Sequence, residues 1–163
     1  MSKYSSLQIA IHWAVVVMVI TQWWTSDAIP RTHNPLLPAT QWDLFLHLVH
    51  NYCGMGIGAL VSLRMVLRLQ RRTLLQTRSP RFAEVGSAVV HWGLYASLLA
   101  QAVTGFVAAY FWGPAAGVHK ALWNVTLALV VLHVLAALWH GVRRDGVFGR
   151  ILPGVRIRSG LDV

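Results

Sequence analysis

Four long apolar stretches decide what this chain can fold into. They cover residues 7–25, 44–69, 84–112 and 119–142. Each reaches or exceeds the roughly 20 residues that a helix needs to cross a bilayer. None contains proline, so each can form one unbroken helix. A soluble helical bundle would show polar stripes at helical spacing, and these stretches lack them. Charged residues make up only 12% of the chain, and mean hydropathy is +0.53. A soluble domain of this size needs more polar surface than that. The expected fold is all-α, an integral membrane four-helix bundle. It fills one transmembrane domain over 1–153, followed by a tail over 154–163.

Charge sets the expected orientation. The net charge is +9, from 14 Lys and Arg against 5 Asp and Glu. A basic chain can bind nucleic acid, but its charges then interleave with a soluble fold. Here they cluster between apolar stretches, which points to membrane lipid and to no nucleic-acid partner. Arg64 and Arg68 close the second stretch, and Arg71, Arg72, Arg78 and Arg81 follow it. Arg143, Arg144, Arg150, Arg156 and Arg158 follow the fourth. The link over 26–43 has three prolines and one Arg, and the link over 113–118 has no charge. The positive-inside rule then puts both termini and the 70–83 link in the cytoplasm. The other two links face outward, and the protein is expected to be multi-pass in a bacterial inner membrane. Cys53 is the sole cysteine, which excludes an intrachain disulfide and a cysteine metal cluster. The first stretch is too long for a leader core and lacks an A-x-A-like exit, so it reads as a membrane helix.

Eight histidines stand out in so apolar a chain. Seven of them, His12, His47, His50, His91, His119, His133 and His140, lie in or beside the stretches. Ionisable residues inside a membrane are costly and mark function. The four stretches hold one acidic residue, Glu84, so carboxylate metal sites and proton relays are poorly supported. Neutral imidazoles can instead bind the iron of a porphyrin. His119 and His133 are 14 residues apart, about 21 Å of rise and roughly 40° from a shared face. The fourth helix thus offers two ligands at two depths. His50 matches the outer level and His12 the inner one, so two haems stacked across a bundle follow. His91 or His140 can replace an inner ligand, or line a pocket for a quinone carbonyl. His47 can replace His50, and His33 reads as solvated. Arg64 and Arg68 can hold haem propionates or act as plain interfacial anchors. Gly54, Gly56 and Gly58 allow close approach of a macrocycle or of a neighbouring helix.

These motifs, in this order, resemble the bacterial cytochrome b561 family in its short four-helix dihaem form. Tyr4-Ser5-Ser6-Leu7-Gln8-Ile9-Ala10-Ile11-His12-Trp13 is similar to the family's first-helix motif. His50-Asn51-Tyr52-Cys53-Gly54 resembles its His-x-x-x-Gly, with the Arg pair following at Arg64 and Arg68. His91-Trp92-Gly93-Leu94-Tyr95 resembles the third-helix motif, and His119 with His133 the paired ligands of the fourth. The resemblance implies two haem b groups, one bound by His12 with His133 and one by His50 with His119. It also implies electron exchange with a membrane quinone. Some members resemble superoxide oxidases, which pass an electron from superoxide to ubiquinone. Others are haem subunits that relay electrons from hydrogenases and related dehydrogenases. The donor expected here acts at the outer face, as superoxide or as a redox protein. Lys120 and Arg31 are the outer basic residues able to attract an anion.

Overall fold

A computed structural model describes residues 5–74 and 82–143, with the backbone alone at 71–74 and 82–85. It contains α1 (Ser6–Thr25), α2 (Ala28–Thr32), α3 (Gln41–Leu74), α4 (Phe82–Tyr110) and α5 (Ala115–Val142). Among the described residues there is no strand. Four of the five helices are long and apolar enough to cross a membrane. The fold is therefore all-α and multi-pass.

Local chemistry marks where the helices start. Ser5 caps α1 by accepting the Gln8 N–H at 3.3 Å, while the Gln8 side chain accepts the Ser5 N–H at 3.4 Å. This reciprocal arrangement satisfies two donors that a helix start leaves open. Thr40 does similar work before α3: its hydroxyl accepts the Asp43 N–H at 3.1 Å and donates to Asp43 Oδ2 at 2.7 Å. Pro114 caps α5, where its missing N–H costs nothing.

The long helices pack in chain order, α1 on α3, α3 on α4 and α4 on α5. Neighbours run antiparallel. Thr25 at the end of α1 meets His50 near the start of α3. Gly105 near the end of α4 meets His119 near the start of α5. Neither α1 nor α3 packs closely on α5 among the described residues. Ile57, Val61 and Tyr95 form the buried centre, flanked by Val15, Met18, Val19, Trp92, Leu98 and Leu99. A Cβ on Gly58 would come within 2.9 Å of the Ala102 Cβ, so this glycine sets how closely α3 and α4 approach. Gly54 and Gly56 face the side-chain ends of Gln22 and Met18 on α1. Gly58 thus serves helix packing directly, while a Cβ at Gly54 would meet only ordinary contact.

The outer face of the helices is apolar. Val17, Ile20, Leu48, Val103, Leu127, Val131 and Leu135 are exposed. Such a surface is stable only in lipid.

Two boundaries differ from the sequence reading. The proline-rich link over 26–43 holds the short helix α2. Pro30 sits inside its first turn, where proline is tolerated. α5 starts at Ala115, four residues before His119, so that histidine is a full turn inside the helix and held by it. Likewise His47 lies two turns into α3 and not in a frayed first turn. The side chains of Arg71, Arg72 and Glu84, together with Arg78, Arg81, Arg144, Arg150, Arg156, Arg158 and the 154–163 tail, lie outside the described residues.

Candidate functional site

Two histidine pairs bridge the helices that do not pack on each other. His50 on α3 faces His119 on α5, with ring centres 6.3 Å apart and planes at 77°. His12 on α1 faces His133 on α5, at 6.2 Å and 70°. Metal–imidazole bonds are about 2 Å long, so two rings on opposite sides of one ion have centres roughly 6 Å apart. Both pairs meet that requirement. A direct ring-to-ring contact would bring the centres closer, as it does for His91 and His133 at 5.1 Å.

At the His50–His119 pair, called outer after the topology expected from the charges, with His12–His133 called inner, the second ring nitrogen is already engaged. His119 Nδ1 donates to the Gln101 carbonyl at 3.0 Å, with the Thr104 hydroxyl at 3.3 Å. A carbonyl can only accept, so Nδ1 carries the proton and Nε2 keeps its lone pair. The Thr25 hydroxyl donates to the Thr21 carbonyl at 2.8 Å, so it accepts from His50 Nδ1 at 3.1 Å. His50 Nε2 is then free of a proton as well. This is how metal-binding histidines are usually oriented. Gln22 Nε2 donates to the His50 carbonyl at 2.6 Å and ties α1 to α3 at the same level. Gly105 leaves room for the His119 ring: a Cβ there would lie 3.0 Å from Cε1 and 3.2 Å from Nδ1. Gln101, whose carbonyl holds His119, also has a buried side-chain Nε2 with no hydrogen-bond partner among the described residues.

The inner pair has different company. His91 sets its ring edge-on against His133 at 82°, and its own Nδ1 donates to the Ser87 carbonyl. Arg64 reaches the Gln8 carbonyl at 3.4 Å. The Arg68 guanidinium sits 5.8 Å from the Tyr95 ring centre. Gln8, Arg64, Arg68 and Tyr95 line one small cleft. Three imidazoles and two guanidinium groups thus gather at one depth. His140 lies seven residues beyond His133 on α5, close to the same face.

On the outer surface Arg31 pairs with Asp43 at 2.6 Å, so its charge is already matched. Lys120 is exposed and has no carboxylate partner among the described residues. His47 Nδ1 lies 2.7 Å from the Thr32 hydroxyl, and His33 abuts His47. Neither belongs to a pair spanning the bundle.

Paired imidazoles at two depths of an apolar four-helix bundle define a class, the haem-binding membrane cytochromes b. Within it, the chain belongs to the prokaryotic cytochrome b561 family, whose model matches residues 3–154. It is also similar to a probable superoxide oxidase CybB of Yersinia pestis, 28% identical over 181 residues covering 94% of this chain and 98% of that one. Family membership implies haem b and membrane electron transfer, in a multi-pass protein of the bacterial inner membrane. The residues present fit that group. They offer opposed imidazoles at iron spacing, an unpaired amide donor on Gln101, and guanidinium groups beside the inner pair.

The sequence singles out both pairs, and it marks Gln101 and Thr104 as polar residues placed to bond across helices, which both do at His119; the other contacts that hold the pairs it does not show. Thr25, Gln22 and Gly105 also act across helices. Their only sequence signal is a polar or minimal residue within an apolar stretch.

Proposed function

We propose that the protein binds two haem b groups, one through His50 and His119 and one through His12 and His133. It would carry electrons from an outer-face donor to a membrane quinone. The observation that carries this reading is the pair of 6 Å ring spacings at two depths. When bound, each haem supplies a one-electron ferric/ferrous couple. The chain's part is to hold the two groups in line and to set their surroundings. The basic clusters favour a topology with the His50–His119 level on the outside.

The donor we favour is superoxide, in keeping with the similarity to the probable superoxide oxidase. Lys120, one residue from His119 and unpaired among the described residues, would draw that anion toward the outer level. At the inner level Arg64 and Arg68 would hold carboxylates of the porphyrin. His91 and His140 would form the quinone pocket. With its Nδ1 proton committed to Ser87, neutral His91 offers a lone pair at Nε2. It can therefore take up a cytoplasmic proton and pass it to a reduced quinone.

The second reading is a haem subunit that relays electrons from a dehydrogenase or hydrogenase-type partner to quinone. The exposed apolar outer rim, with Leu36, Leu37, Phe111 and Trp112, leaves room for such a partner. Purified protein separates the two readings. Rapid haem reduction by superoxide, followed by quinone reduction, is the expected result. Haems that stay oxidised with superoxide, yet are reduced by a co-purified dehydrogenase, would favour the subunit.

A further inference from the structure

We infer a second metal site on the outer surface, formed by His33 and His47, that takes a divalent transition ion such as Cu2+ or Zn2+. The two residues are 14 positions apart, one capping α2 and the other on α3. Their ring centres are 5.2 Å apart and tilted by 41°. With ion–nitrogen bonds of about 2 Å, neighbouring imidazoles on one tetrahedral ion have centres roughly 5 Å apart, closer than opposed ones. The spacing is compatible with adjacent coordination positions, but it also matches the plain ring contact of His91 with His133, so the hydrogen bonds at the two rings carry the inference.

Both rings have Nδ1 engaged, and both Nδ1 atoms lie by the Thr32 hydroxyl, at 3.3 Å for His33 and 2.7 Å for His47. His33 Nδ1 donates to the Ile29 carbonyl at 2.9 Å, so its Nε2 keeps a lone pair. The Thr32 hydroxyl donates to the same carbonyl at 2.9 Å and therefore accepts from His47 Nδ1 at 2.7 Å. Both Nε2 atoms are left without protons, and the four-residue segment 29–32 fixes both tautomers. The Arg31–Asp43 ion pair clamps that segment to α3. It also engages the Asp43 carboxylate, and neither imidazole has an ion pair among the described residues. His33 is exposed and His47 half-buried, so an ion can reach the pair from water. Among the described residues no third His, Cys, Asp or Glu completes a cluster. Two imidazoles and water make up the site, a donor set that suits copper or zinc and not magnesium or calcium. His47 lies one turn before His50 on α3, and the site uses none of the four proposed haem ligands.

The test is a Cu2+ titration of the full chain, free of any affinity tag, followed by electron paramagnetic resonance. The expected signal is a type 2 copper spectrum with superhyperfine structure from two nitrogens, saturating at one ion per chain. In His33→Ala the affinity falls by about 10-fold or more and the two-nitrogen pattern is lost, while haem absorption stays unchanged. Thr32→Val keeps both imidazoles but frees the His47 ring, and it weakens binding by about 10-fold. A chain that shows no saturable copper, or that keeps the two-nitrogen signal in His33→Ala, would overturn the site.

Discussion

The outer and inner histidine pairs share one spacing and differ in everything around it. At the outer level each ring is tied by its Nδ1, to Thr25 or to Gln101, and Gly105 clears space behind His119. At the inner level a third imidazole, His91, leans on His133, and Arg64 and Arg68 stand close by. The difference matches the two kinds of chemistry in the proposed function. Accepting one electron from outside needs a fixed ligand pair and no proton. Reducing a quinone needs protons as well as electrons, and the inner level has spare imidazole and cationic groups to manage them. A bundle that held two identical sites would have no reason for this asymmetry.

The strongest way to break the comparison is to remove ligands one level at a time. His119→Ala should cost the outer haem and leave the inner one, and His12→Ala should do the reverse. Pyridine haemochrome spectra read both outcomes. Loss of both haems from either variant would mean the levels are not independent. Gly105→Val comes next in size. Its side chain would enter the space of the His119 ring, which already lies 3.0 Å from an added Cβ. The outer haem should be lost or turn high-spin while the inner spectrum holds.

His91→Ala sharpens the contrast between the levels. Haem content should stay at two, while quinone reduction slows by about 100-fold, a typical share for a proton-transfer residue. A fall in haem content would instead make His91 an axial ligand. Thr25→Val removes the acceptor for His50 Nδ1 and keeps the side-chain shape. Haem affinity at the outer level should weaken by about 10-fold. The outer midpoint potential should rise, because the freed ring donates less charge to ferric iron. The smallest effect belongs to Lys120→Ala. The superoxide rate should drop a few-fold and lose part of its ionic-strength dependence, as expected for steering by one exposed charge.

Much of this was legible in the residues themselves. Four proline-free apolar stretches specified the spanning helices, because a membrane leaves few other folds open to them. The 14-residue step from His119 to His133 indicated two depths, because a helix turns that separation into a known rise and angle. His50 and His12 then followed as partners by level. Of the supporting contacts, the cross-helix bonding of Gln101 and Thr104 was legible, as polar residues inside an apolar stretch, and the rest was not. Thr25 meets His50, and Gly105 meets His119, across helix boundaries that no periodicity encodes. The helix α2 was also hidden. Its five residues, with a proline among them, lack the apolar repeat that marks a helix. His33 read as solvated, and it is exposed; its contact with His47, made through α2, is what stayed hidden.

The haem count per chain tests the central claim most directly. Protein purified intact from the membrane should carry two haem b per polypeptide, and His119→Ala and His133→Ala should each carry one. A single haem in the intact protein, or a ratio unchanged by either substitution, would contradict the assignment of the two pairs.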